Sequence, residues 1–549
     1  MKKLFIIEAP GKVKSFRMIL NSIGVDAEVA ATKGHLYSFP KDLSISGIDE
    51  KFNDVGRVLI NPEGAQYIRN KASEVEQIII ATDADNEGDV IAWDVYSLIK
   101  DINDNILRLK LKGMDKESIE ESMETIHEIR KNDAIPGRTR AIVDRMIGHT
   151  YSKDGVGVGR VLTAILGIVT TESLSCQRLR LTAPSKSAGR PWSCYIDTNS
   201  VITDAIASKL IKLNFPAITV KSSEEYDGSV GHMGDIMIKA GDELYMTPKE
   251  TAQSMQNMYE AGQMSYPRSG SKGISKGAQR RLAKLMKASG SQGVDVSNIK
   301  EKEAGETHDA PYPIGNVDFS KDPKKLGDDL GVRNLVARNF VRSSQKRVIE
   351  KGHTKTIYDF LLSEGFSKEV SLYVAKADWT REVGPRFPGQ ESWGKNEIQE
   401  RMPETVLLEK VIEKGLGKPS TWANHIENFM SKGLVNSNLE LTSKGQEWVS
   451  KSPKELLDPR LSSAIEKACD RIIPSIMNSD EKEPWSGLAE KIINAVPDNL
   501  KSEIKSKLHT FKAENVPSYE KDVADIEATH NKTEVYDAQS PTYDMYSSD

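Results

Sequence analysis

The chain has 549 residues, 38% of them hydrophobic, and a formal net charge of −5, which gives length for three to five domains and argues against a passive nucleic-acid coat. No run of about 18 apolar residues occurs, and the opening "MKKLFIIEAPGK" meets an acidic residue too soon for a secretion signal; a soluble, cytoplasmic protein with no membrane partner is expected. Only Cys176, Cys194 and Cys469 are present, never as C-x-x-C, so neither a disulfide framework nor a four-cysteine zinc module can be built and any metal must be held by oxygen.

Residues 1–115 alternate strand-like apolar runs ("KLFIIEA", "EQIIIATD", "ILRLKLKG") with helical stretches, the pattern of a parallel α/β sheet. Residues 116–178 read as helices, including "SIEESMETIHEIRK" and "TRAIVDRMIGHTY", interrupted by the glycine-rich "KDGVGVGRV". A strand-rich segment, "SCYIDTNSVITDAI" and "FPAITVKSS", fills 179–241. Helices return at Thr247 in a segment covering 242–350. The stretch 351–395 holds a connecting loop, "REVGPRFPGQESWG", and 396–510 is again helical. The fold class is therefore multidomain, α/β followed by α and β parts. From Glu514 onward there are 9 acidic and 2 basic residues, leaving 73 Lys and Arg against 71 Asp and Glu in the body. Such a segment, 511–549 in all, reads as a solvated, disordered tail, whereas basic residues cluster in "SKGISKGAQRRLAKLMK".

The phrase "QMSYPRSGS" stands just after a well-signalled helix. Thr247 is the expected N-cap, Pro248 the first helical residue and Glu250 the capping-box partner, while Gly262 stops the helix. Tyr266 then lies in an extended run that Pro267 keeps out of helical conformation. A phenol is a poor nucleophile at neutral pH, but it can attack a phosphodiester where cations stabilise the developing charge, and Arg268 can present a bidentate fork to phosphate. By itself this triplet fits a packed tyrosine better than a reactive one.

A second constellation is "IIIATDADNEGDVIAWD". Asp83, Asp85 and Glu87 alternate at the end of a β-branched strand, and in extended backbone they would point the same way. Three crowded carboxylates call for a cation, and all-oxygen donors suit Mg²⁺. The run superficially matches an EF-hand loop with Asp94 at position twelve, but a strand precedes it and position nine is Ile91, so that reading is rejected. Glu8 ends the first strand, followed by Lys12, and in parallel sheets ligands gather at such strand ends, so Glu8 and the Asp83 group can share one crevice.

Glu8 together with "DADNEG" resembles the Toprim domain, shared by topoisomerases, some nucleases and primases. "MYEAGQMSYPRSGSKGIS" resembles the active-site tyrosine segment of type IA DNA topoisomerases. Further motifs follow in that family's order: "KGHLYSFP" with His35, "RAIVDRMIGH", "GVGVGRVLTAI" with Arg160, "THDAPYPI" with His308, and "KGLGKPSTWANHIENFMSKGLV" with Lys418, Ser420 and Thr421. The resemblance implies a Toprim domain at 1–115 and a toroidal core beyond it. In that core, a helical DNA-binding domain takes 116–178 and 396–510, a strand-rich gate domain takes 179–241 and 351–395, and the tyrosine domain takes 242–350. It implies ATP-independent cleavage of single-stranded or underwound DNA through a 5′-phosphotyrosine at Tyr266, strand passage and resealing, and no GxxxxGK[ST] loop occurs.

Roles follow by the same resemblance. Arg268 stabilises phosphate charge, Glu8 or Lys12 moves a proton, Asp83, Asp85, Glu87 and Glu8 hold Mg²⁺, and Arg160, His308, Lys418, Ser420, Thr421 and His35 contact DNA. The chain departs from the family pattern at Asn86, Asp89, Gly270 and Lys418. A monomer is expected, and a helicase partner and action on RNA stay open. So do two other readings, a Toprim nuclease or primase-like enzyme in which Tyr266 only packs, and a non-catalytic DNA-binding relative.

Overall fold

A computed structural model describes residues 2–186, 189–288, 290, 293–303, 308–384, 395–471 and 483–508. The acidic segment expected to be a tail and most of the connecting loop expected around Gly384 lie outside the described residues. The chain forms two compact units, one from residues 1–159 with the chain from Ile465 onward, the other from Arg160–Ala464. Among the described residues no helix is long and apolar enough to cross a membrane.

The first unit runs β1 (Lys3–Ile7), α1 (Val13–Ser22), β2 (Glu28–Ala31), β3 (Tyr37–Ser38), β4 (Val58–Leu59), α2 (Pro62–Ser73), β5 (Gln77–Ile80), α3 (Asn86–Ile99), β6 (Ile106–Arg108), α4 (Lys116–Met123), β7 (His127–Glu128) and α5 (Ile135–Tyr151). Its sheet has the order β2-β1-β5-β6-β7, with the first four strands parallel and β7 antiparallel at the edge. The runs "LFII" and "III" are unbroken apolar stretches because both faces of the sheet are covered, and Leu4, Phe5, Ile6, Ile78 and Ile80 are fully buried. Strand order reverses direction between β1 and β5, and the crevice beyond the carboxyl ends of that pair is where an α/β sheet receives ligands. The helix expected through "SIEESMETIHEIRK" ends at Met123, because His127 and Glu128 pair with the open edge of β6 instead.

Helix α3 is anchored by a buried charge cluster. Arg57 grips Asp94 through two hydrogen bonds of 2.8 and 2.6 Å, and Arg138 of α5 reaches the same carboxylate at 3.3 Å. Asp94 therefore belongs to the helix packing, consistent with the rejected calcium loop. The chain returns to this unit through helices Pro484–Ala495 and Asp498–Leu508. There the Arg138 guanidinium lies 4.5 Å from the Trp485 ring, and the indole N–H donates to Asp54 at 3.2 Å.

The second unit contains α6 (Arg160–Thr171), β8 (Gln177–Ala183), β9 (Trp192–Asp197), α7 (Asp204–Leu210), β10 (Val220–Glu225), α8 (Met233–Leu244), α9 (Pro248–Glu260), α10 (Lys276–Ala288), α11 (Asp328–Ser343), β11 (Val348–Gly352), α12 (Lys355–Ser363), α13 (Lys368–Lys376), β12 (Thr380–Val383), β13 (Glu397–Glu400), α14 (Pro403–Glu413) and α15 (Trp422–Ser431). Its antiparallel sheet has the order β10-β11-β12-β9-β8-β13. Leu179, Leu181, Trp192 and Trp379 fill the space between sheet and helices α12 and α13.

Three sequence expectations change in this unit. "TDAI" forms α7 rather than strand, since Asn199 ties the preceding turn by accepting from the backbone of Val201 and Ile202. Helix α8 precedes Thr247, opened by a capping box of His232 and Asp235 that the alternating-strand reading overlooked. Glu397–Glu400, expected to be helical, pairs with β8. By contrast the Thr247–Glu250 capping box and Pro248 at the start of α9 are present as expected.

Removing one member of a buried ion cluster leaves the others uncompensated, a loss of about 3–5 kcal/mol, whereas a solvent-exposed pair contributes about 0–1 kcal/mol. Asp94→Ala is therefore expected to bring the first unit's denaturant transition to markedly lower urea. Lys355→Ala, which removes an exposed pair with Asp359, should leave the curve in place. Equal effects of the two changes would contradict the role given to Asp94.

Candidate active site

Two groups of side chains carry the chemistry, one in each unit. In the first, the parallel register of β1 with β5 sets Glu8 and Asp83 side by side, and the Asp83 N–H donates to Glu8 Oε1 at 2.8 Å. Asp83 itself makes a parallel bridge to Leu111 and is buried. Lys12, also buried, places its ammonium 3.8 Å from Asp83 Oδ1. Asp85 is the N-cap of α3, its carboxylate accepting from the Gly88 N–H at 2.8 Å.

Gly88 is required by this close packing. A Cβ there would lie 2.1 Å from the Asp83 carbonyl oxygen and 3.0 Å from Glu8 Oε1, so any larger residue would push the helix start off the strand end. Burial, then the charges of Asp83 and Asp85, push Glu8 from the ordinary 4.5 up to about 8.

The expectation that Asp83, Asp85 and Glu87 share one extended face is corrected here. The backbone turns into α3 at Asp85, so Asp85 caps the helix, and Glu87 in its first turn faces His35, whose Nε2 lies 2.9 Å from Glu87 Oε2. His35 thus joins the acidic group through Glu87. Among the described residues no three His, Cys, Asp or Glu side chains converge closely enough to enclose an ion. Asp89, which stands at a family glutamate position, turns away to Arg108 and Lys110 at 3.0 and 2.8 Å. Neither of those basic partners was evident from the sequence, because both lie on or beyond a strand some twenty residues away.

In the second unit, the run after α9 pairs with the segment that follows His308. The Ser265 N–H donates to the Tyr312 carbonyl and the Tyr312 N–H donates to Ser265 Oγ, both at 2.9 Å. Ile314 N–H donates to the Gln263 carbonyl, and Met264 bridges Pro313. This pairing brings two separate sequence motifs together. The His308 ring lies against Tyr266 with centroids 4.3 Å apart and planes inclined by 32°, and Tyr259 of α9 meets Tyr266 edge-on at 5.5 Å. Tyr266 is 1% exposed, so the phenol on the extended run after α9 is enclosed. Arg268, two residues on, is half-buried.

A third motif reaches the same loop. Residues 414–421 turn between α14 and α15 with Gly417 at φ +67°, a left-handed conformation that glycine adopts freely. Thr421 stands at the N-cap of α15 without capping it through its side chain; its hydroxyl donates back to the Lys418 carbonyl at 3.1 Å and accepts from the Lys418 N–H at 3.0 Å, closing the turn on itself. Pro419 comes within van der Waals reach of Gly270, a Cβ on which would stand 3.8 Å from Pro419 Cγ. Trp422 lies 5.3 Å from the His232 ring and donates its indole N–H to the Leu416 carbonyl, while the Met233 N–H donates to the Ser269 carbonyl. Lys418, Ser420 and Thr421 therefore flank the tyrosine loop.

His232, absent from the sequence-based candidates, joins these pieces. The spacing of its capping box with Asp235 was the available signal. Arg160 opens α6, is buried, and its guanidinium donates to the Ser462 carbonyl at 3.2 Å.

Comparison with known proteins matches two family models, the Toprim domain over residues 3–113 and DNA topoisomerase over residues 217–481. The chain is similar to DNA topoisomerase 1 of Campylobacter jejuni, 24% identical with 88% of this chain and 77% of that protein covered. It is also similar to reverse gyrase 2 of Aeropyrum pernix, 23% identical with 74% of this chain and 36% of that protein covered. Full-length topoisomerase I of Thermotoga maritima shares its fold, with a TM-score of 0.59, 18% identity, and coverage of 93% of this chain and 90% of that one. With the two models covering both the acidic strand ends and the tyrosine loop, the chain belongs to the type IA DNA topoisomerase family.

Proposed function

We propose that Tyr266 is the nucleophile of this topoisomerase and that the acidic group of the first unit supports the exchange with Mg²⁺. The observation that carries the reading is the meeting of three distant sequence motifs, around Tyr266, His308 and Pro419, on one loop. In cleavage, the Tyr266 oxygen forms a bond to phosphorus and the bond from phosphorus to the 3′ oxygen breaks. The products are a 5′-phosphotyrosine and a free 3′-hydroxyl, and resealing reverses the step. Because the DNA is chemically unchanged after strand passage, the enzyme is an isomerase, it needs no ATP, and it relaxes negative supercoils or decatenates single-stranded or underwound DNA.

Arg268 offers the phosphate a bidentate cation. His308, stacked on the phenol ring, fixes its plane. Glu8, held protonated near neutrality by its burial, is suited to give its proton to the departing 3′ oxygen. Lys12 offsets the charge of Asp83. Asp83, Asp85 and Glu87 would be the oxygen donors for the metal after drawing together around it, since they do not enclose an ion as they stand, and an all-oxygen set suits Mg²⁺. The crowding that raises Glu8 is a strain that a cation beside Asp83 and Asp85 relieves. When bound, Mg²⁺ would neutralise phosphate charge and orient the broken ends.

The enclosed ring favours one competing reading, in which Tyr266 is a core residue of a Toprim nuclease. Mixing the protein with 3′-end-labelled single-stranded oligonucleotide and denaturing distinguishes the two. Label should migrate with wild-type protein and not with Tyr266→Phe, which should still bind; cut DNA carrying no protein would refute the nucleophile assignment. Chelation with EDTA is expected to suppress relaxation, and turnover unaffected by chelation would remove the carboxylates from their metal role.

Glu8 also sets a pH signature. Its folded value lies above the ordinary 4.5, so the metal-free folded unit holds an extra proton between about 4.5 and about 8; stability is then full at the acid end and falls as pH rises through that window. Glu8→Gln should flatten this fall in urea titrations and, lacking the acid, should lower adduct formation at every pH with no further step near pH 8. An unchanged pH slope in the variant would show that another group titrates.

A further inference from the structure

We infer that the solvent face of α10 is a track for the phosphate backbone of duplex DNA, distinct from the contacts around Tyr266. From Lys272 to Lys287 the chain carries six cations and no acidic residue. The apolar side of α10, with Ala278, Leu282, Leu285 and Met286, packs into the core against α11. That packing directs Lys276, Arg280, Lys284 and Lys287 outward, and all four are exposed. They recur at intervals of four, four and three residues, which is one stripe along a helix, with a rise of about 6 Å per four residues.

Several other surface helices of this protein pair such cations within the helix. Lys71 pairs with Glu74, Lys116 with Glu120, Lys355 with Asp359, Lys410 with Glu413 and Lys451 with Glu447. On α10, Lys276 pairs with Glu301 at 3.8 Å, whereas Arg280, Lys284 and Lys287 pair with no acidic group among the described residues. Like charges at this spacing destabilise a helix, in a chain whose overall charge is −5. A straight, rigid row of unneutralised cations matches the regular phosphates of a duplex better than a flexible single strand, and phosphate contacts of this kind position DNA without reading its sequence. The loop bearing Tyr266 leads directly into α10, so the track would hold duplex next to the point of cleavage. This extension rests on the strand-passage reading.

The test combines Arg280→Ala, Lys284→Ala and Lys287→Ala and measures affinity for a blunt duplex of about 30 base pairs between roughly 50 and 200 mM KCl. Loss of three phosphate contacts is expected to reduce the slope of log K against log salt by about 2.7. Affinity should fall at least tenfold at the low-salt end, about the effect of a few lost counterion-releasing contacts. The thermal transition should be unmoved, and a charge-retaining version, Arg280→Lys with Lys284→Arg and Lys287→Arg, should bind as the wild type does.

An unchanged slope in the alanine variant overturns the proposal, and so does equal loss in the charge-retaining version. If the two proteins differ only after removal of residues 514–549, the stripe serves the chain's own acidic segment and the proposal is likewise overturned. Covalent capture of a short single-stranded oligonucleotide by Tyr266 should be the same in variant and wild type. Its absence from both would defeat the strand-passage reading, while the duplex slopes would still decide the track.

Discussion

The reciprocal hydrogen bonding of Ser265 with Tyr312 holds the second unit's site together. It fastens the chain leaving α9 to the chain leaving His308, and once that register is set the rings of Tyr266 and His308 have little choice but to meet. The helix before it contributes the other half of the constraint. Its capped start and glycine stop determine where the extended run begins, so a rigid cylinder and a short two-strand pairing locate one phenolic oxygen. Loops positioned this way combine freedom of side-chain chemistry with the precision of the elements that flank them.

The first unit solves a different problem, the crowding of negative charge. Two adjacent parallel strands end in Glu8 and Asp83, and the turn into α3 brings Asp85 alongside. Asp83 is buried and Glu8 and Asp85 are half-buried, so the repulsion is only partly screened, and the protein answers it in three ways. A backbone N–H is given to Glu8, an ammonium is placed beside Asp83, and the N-terminal amides of α3 face Asp85. These leave Glu8 inclined to keep its proton. Asp89 and Asp94, in the same acidic sequence run, are withdrawn from the group by Arg108, Lys110, Arg57 and Arg138.

Much of this was legible in the sequence because it rests on local rules. Apolar runs bounded by carboxylates gave the strands of the first sheet, and the box Thr247–Glu250 gave α9. What stayed hidden depended on partners far along the chain. His127 and Glu128 look helical until β6 offers them an open edge, and Glu397–Glu400 looks helical until β8 does the same. The direction of each carboxylate was misjudged for a related reason. Alternation along an extended strand assumes that the strand continues, and here the helix starts at the second acid of the series. The packing of the His232 ring on Trp422 and the bond from Met233 to the Ser269 carbonyl were likewise invisible, since such contacts leave no periodic trace.

The enclosure of Tyr266 bears on how such a protein can live with its own substrate. If Tyr266 is the nucleophile proposed above, its place behind Tyr259 and His308 means that mere collision with a nucleic acid would not expose the blade. Breakage would then be tied to a local rearrangement of the fold, and the same sheltering would keep water from competing for the bond.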